Sequence, residues 1–200
     1  MWAFATGLAD ECSEVMELDA FGALFERFER SAFRVEARDR YGVDQEREAF
    51  ARFLKGRALV PRNTATDPWL ALLAAARAAG RRIERVRVVG EPLTDYTRFE
   101  FAAYRENITV GDVVRVVPRT NLTDADQGWA SEDFWTFDDR LVVLLNYDIE
   151  GRFLGADQAP KITPYLKARR LALTLGLDFN EFVAKTEPCN RRLGDVLIDD

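Results

Sequence analysis

The chain has 200 residues, 28 Lys+Arg against 34 Asp+Glu, a formal charge of −6 and no histidine. The missing histidine excludes Ser-His-Asp and Cys-His catalysis, imidazole bases and His-built zinc sites. With 48% hydrophobic and 31% charged residues, the composition is globular rather than disordered, and the length suits one domain.

Residues 1–17 are acidic and weakly patterned and read as a flexible lead-in. The first 26 residues hold no Lys or Arg, so a signal peptide is not expected, and a cytoplasmic protein is. Leu18, Phe21, Leu24, Phe25 and Phe28 recur at helical spacing and predict an amphipathic helix to Arg30. From Ala32 to Arg38 the pattern alternates. Phe33, Val35 and Ala37 share one face and Arg34, Glu36 and Arg38 the other, which predicts a half-buried strand.

Asp44 to Lys55 predicts a second helix with Gly56 as its C-cap. Asp67-Pro68 reads as an N-cap and first turn, with the helix stopping at Gly80. A strand is predicted over Ile83–Val89. A helix capped by Thr94 is predicted to run to about Glu106 with Asn107 as its stop, followed by a strand over Val113–Pro118. Residues 119–131 are loop-like. Phe134–Phe137 and Leu141–Tyr147 read as a hairpin around Asp138-Asp139. A turn at Glu150-Gly151 then leads to a short strand near Phe153. Pro160–Leu175 and Asp178–Lys185 are helical, and 189–200 read as a tail. This order predicts a single α/β domain over residues 18–188, with a mixed parallel/antiparallel sheet flanked by helices and C-terminal helices packed on it.

No phosphate-binding loop or dinucleotide fingerprint is present, and no cofactor is expected. Asp124 to Gly128 departs from a calcium loop: its Gly falls one position early and Trp135 stands where the bidentate Glu belongs. Cys12 and Cys189 are isolated, so no metal site is expected. The basic helical turn Pro164 to Arg170 reads as a solvated face, with single-helix nucleic-acid contact as the weaker alternative for so acidic a chain.

The strand arginines carry more information. Arg85 and Arg87 share a face of one strand, Arg115 and Arg119 of the next, and Arg34 and Arg38 flank Glu36 on a third. Either these make a solvated, salt-bridged face, or they grip a phosphate, a carboxylate or an acidic partner segment. The run from Arg85 to Glu100 crosses from a strand into a helix start, where α/β sheets hold ligands. It carries Glu91, Asp95, Tyr96 and Arg98. The segment Glu132 to Asp139 mixes acids with aromatics, Trp135 among them, and reads either as core around a hairpin or as a carboxylate pair.

The strings Phe33 to Tyr41, Arg85 to Glu100 and Asp133 to Asp138 resemble a family of uncharacterised actinobacterial proteins, over roughly residues 20–155. Members of that family are often encoded beside small helix-turn-helix regulators. The resemblance therefore implies a regulatory role, with such a regulator or another protein as partner. The element order is also loosely similar to half of a phospholipase-D-like domain. That chemistry uses a His-x-Lys pair and cannot transfer to a chain without histidine.

Three functions follow as expectations. The first is a non-catalytic module that binds an anionic group through strand-end arginines: Arg34, Arg38, Arg85, Arg87, Arg98, Arg115 and Arg119, with Glu36 and Trp135 beside them. The second is a small cofactor-independent enzyme of specialised metabolism using Glu91, Asp95 and Tyr96 for proton transfer. The third is nucleic-acid or nucleotide binding, which the net charge opposes.

Overall fold

Runs of β-branched and aromatic residues in the inner strands build a mixed eight-stranded sheet at the centre of the fold. The structure, a computed structural model, describes residues 14–186. Its elements are β1 (Glu14–Met16), α1 (Leu18–Arg27), β2 (Ser31–Glu36), α2 (Arg47–Leu54), α3 (Pro68–Ala78), β3 (Arg82–Val89) and α4 (Asp95–Val110). Then come β4 (Asp112–Pro118), β5 (Phe134–Phe137), β6 (Leu141–Tyr147), β7 (Phe153–Gln158), α5 (Thr163–Leu175), β8 (Leu177–Asp178) and α6 (Phe179–Lys185).

The strand order is β1-β7-β6-β5-β2-β3-β4-β8. Strands β2, β3 and β4 are parallel, and helical crossovers join them, as parallel neighbours require. The meander β5-β6-β7 is antiparallel and enters the sheet beside β2. The connection from β4 to β5, residues 119–133, therefore passes the carboxyl ends of β3 and β2 to reach the other side of β2. This is the single α/β domain with a mixed sheet that the element order predicts.

Each face of the sheet is covered. Phe33, Val35, Val86 and Val88 lie with Phe134 and Val117 beneath α5 and Trp129. On the opposite face Ala32 and Ile83 lie beneath Leu70 and Leu73 of α3, and Val114 and Val116 beneath α4 and α6. Asp67 caps α3 by accepting from the Leu70 N–H at 3.0 Å. Asp138 and Asp139 both take positive φ, 54° and 58°, at the centre of the three-residue β5-β6 connection, where the Arg140 N–H donates to the Phe137 carbonyl at 3.0 Å.

Four details differ from the sequence reading. Strand β2 is buried on both faces rather than half-buried, because α4 covers its polar side. Helix α4 runs past Asn107, whose side chain is buried and hydrogen-bonded, and ends at Gly111 with φ 125°. Glu14–Met16, inside the expected lead-in, pairs with β7. Two residues after α5 pair with β4 as β8. Each of these edge strands is too short to carry a period-2 signal. Residues 1–13 of the lead-in and the tail 189–200, with Cys12 and Cys189, lie outside the described residues.

Candidate functional site

The polar face of β2 and β3 meets a polar stripe on α4. Glu100, Tyr104 and Asn107 recur at i, i+4 and i+7 on the buried side of that helix. Arg85 pairs with Glu36 at 3.1 Å and with Asp112 at 2.8 Å. Arg34 pairs with Glu36 at 3.0 Å. Tyr104 Oη donates to Glu36 Oε2 at 2.6 Å. Arg87, with a fully buried side chain, pairs with Glu100 at 2.7 Å. Its Nη1 also donates to the carbonyls of Glu36, Arg38 and Val88. The cluster is closed internally: each cation meets an acid, and cation–π contacts with Trp69, Tyr104 and Tyr41 cover Arg85 and Arg87.

Beyond the carboxyl end of β2 lies a cavity of about 750 Å³. Ala37 to Glu46 form one wall, Tyr96 at the start of α4 a second, Arg119 after β4 a third, and the turn 149–152 a fourth. This is where open α/β sheets hold ligands. The loop is held from below by Arg87, through the Arg38 carbonyl, and by Tyr41, whose hydroxyl donates to buried Asp133. It is held from the side by Gly151, whose φ is 81° and whose carbonyl accepts from the Gly42 N–H at 2.8 Å. A Cβ at Gly151 would lie 2.6 Å from the Arg40 carbonyl oxygen, so only glycine allows this approach.

Among the described residues, Arg38, Arg40 and Arg119 make no ion pair with a carboxylate. Arg38 donates to the Asp148 carbonyl at 2.7 Å, and its buried Nε has no hydrogen-bond partner. Arg119 donates to the carbonyls of Ala130 and Ala37. Arg40 lies over the Phe50 ring at 5.9 Å. The other arginines of the wall are neutralised locally: Arg47 by Asp44, and Arg152 by Asp148 and Glu150.

Residues 19–184 match the model of a domain of unknown function, DUF6879. The chain belongs to that family. No curated protein matches the sequence.

In this DUF6879 domain the sequence-predicted residues separate into five places. Arg34, Glu36, Arg85 and Arg87 are interior, not at the strand ends, because α4 closes over them. Arg115 is on the opposite face and donates to the Gly176 carbonyl at 3.1 Å. Trp135 is core: it stacks on Phe137 and meets Phe25 and Trp69 edge-on. Arg38, Arg119 and Tyr96 reach the cavity wall, while Glu91, Asp95 and Arg98 do not line it. Glu91 is exposed and accepts from Thr120, and Arg98 pairs with Asp95 one helical turn away. The three proposed proton-transfer groups therefore do not converge in this cavity. Asp138 accepts from the N–H groups of Glu29, Arg30 and Ser31, and Asp139 pairs with Arg169. Neither is arranged as a carboxylate pair for acid–base work.

Sequence reading missed Arg40, Glu46 and Phe50. Arg40 lies at the end of the alternating strand pattern, and Glu46 and Phe50 lie at the start of the next helix, so the short loop between the two was the available signal. Among the described residues no group of three or more His, Cys, Asp or Glu is placed to hold a metal, and no helix is long and apolar enough to cross a membrane.

Burial pushes the Glu100 carboxyl up, against the pull of Arg87, to about 8 from an ordinary 4.5. Burial likewise raises Asp112 and Asp133. A carboxyl whose folded value is raised stabilises the fold fully below its unfolded value, and that contribution fades as pH climbs to the folded value. Thermal stability should therefore fall between pH 4.5 and 8, by an amount on the order of a few kcal/mol in all. Melting curves across that window should show a flatter profile for Glu100→Gln. An equally steep profile in the variant would assign the slope to another group.

Proposed function

We propose that this domain is a non-catalytic binding module that takes an anionic group, phosphate or carboxylate, into the cavity beyond β2. Arg38 and Arg40 are the donors, and Arg119 adds charge while holding the strand-end carbonyls. One observation carries the reading. Every arginine of β2 and β3 is ion-paired, whereas those of the cavity loop and Arg119 have only carbonyl and aromatic contacts among the described residues. Guanidinium groups so held offer charge-assisted hydrogen bonds with little further ordering. A carboxylate-bearing segment of a partner, a small helix-turn-helix regulator included, or a phosphate would satisfy them. The chain's two cysteines fit action in the reducing cytoplasm.

A second reading, acid–base catalysis, has one supporting observation. Glu46 lines the cavity, burial raises its carboxyl, and Tyr96 Oη donates to it at 2.8 Å. A polynucleotide fits less well, because Asp39, Asp44 and Glu150 alternate with the arginines of the wall and would repel a continuous phosphate backbone.

Titration with inorganic phosphate, followed by amide chemical shifts, tests the reading. The Arg38→Ala/Arg40→Ala variant should bind phosphate at least about tenfold more weakly, since each lost charged hydrogen bond is worth about 1.5–3 kcal/mol. Equal affinity in the variant and the parent protein overturns it.

A further inference from the structure

The same cavity carries a second chemistry that an anion alone would not use. We infer that its ligand is a purine mononucleotide, with the phosphate on Arg38 and Arg40, the base against the wall of Phe50 and Tyr96, and a base N–H donated to Glu46. This rests on the anion-binding reading above and adds the ligand class.

Three observations carry it. The first is size: about 750 Å³ is in the range of small-molecule sites, roughly 300–1,000 Å³, and far exceeds what one phosphate fills. The second is the aromatic side of the cavity. Tyr41, Phe50 and Tyr96 all line it. Tyr41 meets Tyr96 at 6.3 Å and Phe50 meets Tyr96 edge-on at 5.4 Å. Phe50 is only half-buried, and Arg40, now over its ring at 5.9 Å, leaves that ring face to a flat heterocycle when it turns to the phosphate.

The third observation is Glu46. Its Oε2 accepts from Tyr96, and its Oε1 receives no hydrogen bond from any described residue. An unmet carboxylate oxygen beside uncompensated arginines selects a ligand with two unlike ends. A dicarboxylate, a polyphosphate or an acidic peptide would set a second negative charge against Glu46. A purine places an amino or ring N–H there instead. Asp39, exposed on the rim without an ion pair among the described residues, adds to the same selection against extended anions.

The test uses the whole chain and five probes by calorimetry: GMP, AMP, ribose 5-phosphate, inorganic phosphate and a short peptide of glutamates. At least one purine mononucleotide should bind tenfold or more tighter than ribose 5-phosphate. Phe50→Ala should remove about tenfold of that preference, the scale of one base–aromatic stack. Phe50→Leu, which keeps apolar volume without the ring, serves if the alanine variant does not fold. Glu46→Ala should lower mononucleotide affinity while leaving or raising phosphate affinity. If all phosphate-bearing probes bind equally, or an acidic peptide binds tighter than either mononucleotide, the mononucleotide assignment is overturned while the anion site stands. If no probe binds, both readings fall together.

Discussion

Replacing Arg87 with alanine is expected to destabilise the protein by about 3–5 kcal/mol, the usual cost of breaking a buried ion pair from one side. Two consequences combine. Glu100 loses the cation that opposes its burial, and the carbonyls of Glu36, Arg38 and Val88 lose a donor deep in the sheet. The two are separable. Arg87→Met/Glu100→Leu removes the unpaired buried carboxyl but restores no donor, so urea unfolding should show part of the loss recovered and part retained. Full recovery would mean that the carbonyl bonds contribute nothing. The retained part should also report on function, because the Arg38 carbonyl belongs to the loop that forms the cavity wall. Phosphate binding should weaken in the double variant although Arg38 and Arg40 are untouched.

Glu36→Gln should be nearly as costly and should also change the acid limb of stability. Burial alone would raise this carboxyl. Arg85, Arg34 and Arg87, with the Tyr104 hydroxyl, outweigh burial and hold it at about 2, against an ordinary 4.5. A carboxyl held low in the fold contributes fully above pH 4.5 and loses that contribution as pH falls toward 2. At about 1.4 kcal/mol per pH unit, the parent protein should lose about 3 kcal/mol over that window. The glutamine variant cannot protonate there. It should start lower at pH 6 and lose about 2 kcal/mol less than the parent between pH 4.5 and pH 3 in urea titrations, since Asp126, Asp138 and Asp148, also held low, titrate in both. A parallel acid loss in the variant would place the titrating group elsewhere.

Much of the architecture is legible in local pattern. Phe33 and Val35 alternate with Arg34 and Glu36, Asp67-Pro68 opens a helix, and Asp138-Asp139 closes a hairpin; each is a short-range signal with one dominant physical cause. What covers the polar side of β2 and β3 is not short-range. The guanidinium of Arg87 is interior because Glu100 faces it, beside Tyr104 on the same stripe, from a helix that begins after the next turn. That stripe has helical spacing and sits beside a strand with matching alternation, so the match was present in the sequence. Read one element at a time, the strand and the helix each present a polar face that would suit solvent equally well. The cavity was legible only as a location, the carboxyl end of the parallel strands. Glu46 and Phe50 join it because the chain folds back after Gly42 onto the turn at Gly151, a long-range contact that a single sequence does not display.

The sheet finishes on both flanks in very short ribbons, three residues at Glu14–Met16 and two at Leu177–Asp178. Among the described residues, β1 pairs with β7 only over Ala156–Gln158 and β8 with β4 only at Arg115 and Val116, so neither rim is one straight, full-length edge. Lateral growth of one sheet onto another, the usual beginning of fibrillar clumping, finds little template. The apolar inner strands that build the core meet, at each side of the sheet, a neighbour too short to repeat along a stack.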